Sequence, residues 1–192
     1  MKGKLILLIG PSGSGKGTLI NHIRPLFSEL VYPKSCTTRA MRPEEKTGEH
    51  YYFLTVKDFQ ERVARGDFLE YAEYGGNYYG TLASEVLPLL EKGKVALKEL
   101  EVQGARQIRE KIAKDELVIV FVNAGTWEEM EARIRARSAM PEAELLKRKE
   151  RYEDEMSFMA NNQADFIITN PMGKVEEAKA QFEGVIRGLV GS

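Results

Sequence analysis

The sequence predicts an α/β protein with a parallel central sheet, and three observations carry that expectation. Short apolar runs alternate with amphipathic stretches along most of the chain, which is the pattern of strand–helix repeats. The first run, LILLIG at 5–10, is apolar at every position before its glycine, as a strand covered on both faces is. The stretch 34–82 breaks the rhythm. It is polar, aromatic-rich and turn-rich, and reads as a small, mostly-β insertion.

The elements follow in order. GTLINHIRPLF (17–27) is expected as a helix after the first strand. HYYFLT (50–55), FLEYAEY (68–74) and NYYGT (77–81) give the insertion its β texture. The repeat then resumes with a helix over ASEVLPLLEKG (83–93), a strand over KVALKELE (94–101) and a helix over VQGARQIREKIA (102–113). LVIVFVN (117–123) is a further strand. Thr126 and Glu129 have capping-box spacing ahead of a helix to Arg137. Pro141 stands where a first helical turn accepts proline and opens a charged helix to about 160. DFIITN (165–170) is the last strand and VEEAKAQFEGVIRGLV (175–190) the last helix.

The 192 residues suffice for one domain with a hydrophobic core. The net charge of −1 provides no general field toward nucleic acid or anionic lipid, so neither is expected as a partner. Cys36 is the single cysteine, which excludes an internal disulfide and a cysteine-based zinc site. It reads as a packing residue in a reduced, cytoplasmic protein. The N-terminal apolar run, Leu5–Ile9, is too short for a signal-peptide core or a membrane span.

GPSGSGKGT at 10–18 follows a buried strand and opens a helix, the context in which a phosphate-binding loop is believable. Gly10, Pro11, Ser12, Gly13, Ser14, Gly15, Lys16, Gly17 and Thr18 are its candidate residues. Glycines let successive N–H groups turn toward one anion, the helix start adds partial positive charge, and Lys16 supplies a mobile cation for β- and γ-phosphates. The expected fold is therefore a P-loop NTPase-type three-layer sandwich. Gly17 rather than a hydroxyl residue follows Lys16, so Thr18 is the candidate hydroxyl for magnesium.

The loop is joined by S-x-T-T-R-x-x-R at 35–42, G-x-x-Y at 48–51, G-N-Y-Y-G-T at 76–81 and VQG at 102–104. In this order and spacing they resemble guanylate kinases across essentially the whole chain. The resemblance implies a core of 1–33 and 83–192, a GMP-binding insertion at 34–82 and a lid region at 126–155. It implies that Arg39, Arg42, Tyr51 and Tyr79 hold the phosphate of GMP, while Ser35, Glu70, Thr81 and Glu101 face the guanine. The chemistry agrees. Two arginines and two phenols suit a phosphate dianion. A carboxylate such as Glu70 can accept from N1–H and N2–H of guanine, and the hydroxyls of Ser35 and Thr81 can donate to O6. Singly, each has a plainer reading: the tyrosines as sheet residues, the arginines as a solvated turn, Glu70 as a strand residue facing water.

The resemblance also gives Arg133, Arg137 and Arg148 as lid residues acting on the ATP phosphates. The plainer reading is a salt-bridged surface beside Glu128, Glu129, Glu131 and Glu150. Lys16, Arg39 and the lid arginines are then the catalytic set, Glu99 is a magnesium position through water, and Asn170 lies on the adenine side. The expected substrates are ATP, with Mg²⁺, and GMP, in a monomer or small homo-oligomer. Three positions depart from the family pattern. Glu101 stands where aspartate is usual, Pro171 and Met172 replace acidic residues, and Lys98 interrupts a strand that should be buried. Two rival expectations remain: a kinase for another nucleoside monophosphate, and an inactive guanylate-kinase-like module that binds protein partners.

Overall fold

Strand β1 (Lys4–Ile9) lies inside a four-stranded sheet of order β6-β1-β7-β8, paired in parallel with β6 (Val95–Glu99) and β7 (Leu117–Asn123). β7 in turn pairs in parallel with β8 (Phe166–Thr169). This is a computed structural model, and it describes residues 2–49, 51–137 and 140–191, without the Arg137 side chain. Side chains alternate across the sheet. Leu5, Leu7 and Ile9 pack with α3 (Ala83–Glu91), α4 (Val102–Arg109) and Phe158 of α6 (Glu142–Ala160). Ile6 and Leu8 pack on the other face against α1 (Lys16–Ile23) and α7 (Val175–Val190). Both faces of the sheet are thus covered, which explains the unbroken apolar run.

A second four-stranded sheet, of order β3-β2-β5-β4, is built from residues 35–82. Its strands are β2 (Ser35–Thr37), β3 (Tyr51–Phe53), β4 (Phe68–Tyr74) and β5 (Asn77–Leu82). Gly75 and Gly76 both have positive φ, 58° and 73°, and close the β4–β5 hairpin with the twist a two-residue turn needs. The insertion has its own small core, in which Phe59 and Phe68 stack at 4.5 Å with Cys36 and Leu82 around them. Burial pushes the Cys36 thiol up to about 11, in keeping with a packing role.

Three features differ from the expected elements. Helix α2 (Val56–Arg65) lies inside the insertion and was not anticipated. Its start and stop signals are local: the Thr55 hydroxyl accepts from the Asp58 N–H, and Gly66 closes the helix in the left-handed conformation. Helix α1 ends at Ile23 rather than Phe27, because Pro25 cannot continue it. Pro141 is the residue before α6 rather than its first helical position. In the expected capping box, the Thr126 N–H donates to Glu129 Oε2 at 3.0 Å, ahead of α5 (Trp127–Arg137). His50, the start of the HYYFLT run, lies outside the described residues.

Phe59 is the one buried residue of α2, so it carries that helix's attachment to the small sheet. Phe59→Ala is expected to lower the unfolding free energy by about 3–5 kcal/mol, read as a shifted midpoint in urea denaturation.

Candidate active site

The phosphate loop runs from the end of β1 into α1. Gly13 and Gly15 have φ of 88° and 97°, which a side-chain residue rarely adopts. Lys16 is buried and folds back onto the loop, donating to the carbonyls of Gly10 at 2.6 Å and Pro11 at 3.2 Å. Its ammonium is 3.9 Å from Glu99 Oε1. The Ser14 hydroxyl is buried without a partner among the described residues.

A cleft of about 390 Å³ opens beside this loop. Gly10, Ser12, Gly13 and Lys16 line one side, and Ser35, Tyr51, Glu70 and Tyr79 line the other, with Glu99 and Glu101 at the floor strand's end. The second sheet brings the latter group together by its register. Ser35 pairs with Tyr51 on β3 and with Thr81 on β5, and Thr81 pairs with Glu70 on β4. The four residues form one rank across four strands. A register shift between Phe68 and Glu70 brings Glu70 into that rank, as a bulge does when it re-aims a side chain. Gly104 leaves room for the carboxylate, since a Cβ there would stand 3.1 Å from Glu70 Oε2.

Thr81 calls for a correction. Its hydroxyl donates to Glu70 Oε1 at 2.6 Å, so its one proton is already taken and it orients the carboxylate instead of facing O6 as a donor. Burial raises the Glu70 pKa, opposed by that hydrogen bond and by the Lys98 charge. Lys98 is itself buried. It sits neither at an exposed strand end nor in a direct ion pair, and it donates to Pro33 O at 2.8 Å and Ser35 Oγ at 2.6 Å. Burial lowers its pKa to about 8, against the pull of Glu70.

The arginines fall into distinct places. Arg39 forms a two-pronged pair with Glu45 at 2.8 and 3.0 Å and lies over the Tyr51 ring, and it holds the Glu45 carboxyl down to about 2. Arg42 is exposed, and its backbone N–H also donates to Glu45. Arg133, on α5, donates to the Asn170 carbonyl at 2.9 Å beside the loop. Arg148, on α6, donates to Ser12 Oγ at 2.7 Å and to the Tyr74 hydroxyl at 3.1 Å. The Arg137 side chain lies outside the described residues.

Asn170, expected on the adenine side, also has a structural contact to the phosphate loop. It is buried and its amide donates to the Ser14 carbonyl at 2.7 Å, so it props the phosphate loop. It also lines a neighbouring hollow with Thr18, Arg133, Pro171 and Met172. Thr18 and Glu99, the two expected magnesium positions, therefore line different cavities. Among the described residues, no group of three or more His, Cys, Asp or Glu could hold a metal ion. Glu99, 3.9 Å from the Lys16 ammonium, fits a magnesium ion held mainly by nucleotide phosphates and water. Glu101 lines the cleft half-exposed, 3.9 Å from Arg151.

Sequence reasoning missed two cleft residues. Tyr74 ends β4 and accepts from Arg148 while donating to Glu144 at 3.3 Å. Its position just before a Gly-Gly turn was the only local hint. Glu155 is buried in the cleft wall, and no signal separates it from the other acids of α6. Burial raises its carboxyl to about 7, with Lys16 pulling it down and Glu101 pushing it up.

The fold and the glycine loop make this a P-loop nucleotide-binding protein. The family model described as guanylate kinase matches residues 2–188. The guanylate kinase of Trichormus variabilis is 44% identical over 168 residues, covering 88% of this chain and 82% of its own. That of Thermotoga maritima is 35% identical over 187 residues, covering 97% and 87%. The crystal structure of guanylate kinase from Anaplasma phagocytophilum superposes with a TM-score of 0.72 at 25% identity, over 100% of this chain and 88% of that one. The chain belongs to the guanylate kinase family.

A carboxyl with a raised folded pKa binds its proton more tightly in the folded state. Glu155 thus favours folding most below about 4.5, and that contribution is lost as pH rises through about 7. Urea unfolding of Glu155→Gln and the unsubstituted protein between pH 4.5 and 8 should show the variant gaining on the order of 1–3 kcal/mol relative to it as pH rises. A difference that stays constant with pH would contradict this origin.

Proposed function

We infer that this chain is an ATP:GMP phosphotransferase, moving the γ-phosphate of ATP to GMP to give ADP and GDP. The observation that carries the reading is the single cleft lined on one side by the phosphate loop and on the other by the rank containing Ser35 and Glu70. A bound guanine would give N1–H and N2–H to Glu70 and accept from Ser35 at O6, with Thr81 holding the Glu70 carboxylate. AMP has neither donor and would leave a buried carboxylate unpaired, a mismatch that can discriminate by about 10⁴. Tyr51, Tyr79, Arg39 and Arg42 would hold the acceptor phosphate.

The reaction needs in-line geometry and charge neutralisation more than a general base, because the attacking GMP phosphate oxygen is already anionic. It bonds to the γ-phosphorus as the bond to the ADP oxygen breaks. Lys16 would leave the Gly10 and Pro11 carbonyls for the β- and γ-phosphates. Arg133 and Arg148, with Arg137, would meet the transferring group from the lid side. Magnesium bound with ATP supplies further neutralisation of phosphate charge, with Glu99 the residue to hold it through water. Closure of 34–82 and 126–155 over the cleft would exclude water. Among the described residues no helix is long and apolar enough to cross a membrane. We place the protein in the cytoplasm, where its buried thiol stays reduced.

ADP formation from Mg-ATP with GMP, AMP, UMP, CMP and dTMP as acceptors tests the reading. GMP should support turnover with the others near background, and a preference for another acceptor would overturn the role given to Glu70. Lys16→Ala should reduce kcat by about 10²-fold or more, and near-normal turnover in that variant would remove the loop from the mechanism.

A further inference from the structure

Lys98 stands behind the acceptor cleft, and the transfer of a phosphate does not call for a cation there. It lines the hollow on the far side of Ser35, together with Arg24, Tyr32 and Lys34, and not the cleft itself. Ser35 lines both and so forms the partition between them. The chain ahead of β2 brings the two residues together. Val31 exchanges backbone hydrogen bonds with Val95 and Leu97, so Pro33 and Ser35 follow directly alongside Lys98 on β6.

Donor and acceptor counting then restricts the Ser35 hydroxyl. An ammonium has three donors and no acceptor, and a serine hydroxyl has one proton and two lone pairs. The Lys98 ammonium donates to Ser35 Oγ at 2.6 Å, which occupies a lone pair and turns the proton away. Among the described residues no acceptor takes that proton; Lys98 lines the hollow behind Ser35 and not the cleft, which Ser35 also lines, so the cleft lies on the side away from the ammonium. Beside Ser35 in the same rank of the sheet the opposite arrangement holds. The Thr81 proton goes to Glu70, leaving a carboxylate to accept.

We propose that Lys98 is a positioning residue that fixes Ser35 as a hydrogen-bond donor into the cleft, so that the pair reads a carbonyl oxygen at position 6 of the acceptor purine and rejects an amino group there. The proposal rests on the reading of Ser35 as the O6 contact of GMP. The Lys98–Ser35 pair presents a donor and the Thr81–Glu70 pair an acceptor, which matches the order of groups along the guanine edge. Charge on the ammonium also polarises the Ser35 O–H and strengthens its donation.

The test compares kcat/KM for GMP and for 6-thio-GMP, whose sulfur accepts a hydrogen bond poorly, in the unsubstituted protein, Lys98→Met, Ser35→Ala and the double variant. Lys98→Met should shrink the preference for GMP over 6-thio-GMP by about tenfold, the scale of one charge-assisted hydrogen bond. The KM for GMP should rise while that for ATP stays unchanged. Ser35→Ala should shrink the same preference, and the double variant should shrink it no further. An equal loss on both substrates in Lys98→Met, or effects that multiply in the double variant, would overturn the proposal. A preference lost in Ser35→Ala but kept in Lys98→Met would remove Lys98 alone, whereas a preference kept in Ser35→Ala would remove the reading of Ser35. Should the methionine variant fail to fold, Lys98→Leu, which also lacks a donor, carries the same comparison.

Discussion

The candidate site depends on the pairing register of the small sheet. Tyr51, Ser35, Thr81 and Glu70 come from four strands, and they stand in one rank because each strand pairs in one register. A one-residue slip would turn every side chain of the slipped strand to the other face. The irregularity after Phe68 is part of this constraint, since Glu70 opposes Thr81 only because an extra residue is accommodated there. The short core of Phe59, Phe68, Cys36 and Leu82 beneath the sheet holds that register.

Four cationic side chains in and around the cleft have internal partners. Lys16 rests on loop carbonyls, Arg39 on Glu45, Arg148 on Ser12 and Tyr74, and Arg133 on Asn170. An unpaired charge in so confined a space is costly, and these contacts offset that cost. Among the described residues Glu155 has no such partner, and burial pushes its carboxyl toward the protonated form instead.

Arg148 also ties three parts of the chain together. It reaches from α6 to the phosphate loop through Ser12 and to the second sheet through Tyr74. Arg151 lies over the same Tyr74 ring at 4.7 Å. A tyrosine at the tip of a hairpin thus couples α6 to the insertion.

The sequence by itself determined the parallel sheet and the phosphate loop, and it set 34–82 apart in texture, the stretch in which the second sheet lies. Those features rest on local signals: apolar runs of strand length, glycines where the backbone must turn, and a change of texture. It also brought forward Ser35, Tyr51, Glu70 and Tyr79, which the structure gathers in one cleft. Helix α2 had readable caps in Thr55 and Gly66 but was masked by its aromatic surroundings. Tertiary structure alone decided how the polar groups share their protons. Thr81 serves Glu70, Asn170 serves the phosphate loop, and Lys98 serves Ser35. The reason is that a hydroxyl or amide carries its donors and acceptors in any context, while the partner it meets is set by residues tens of positions away in the chain.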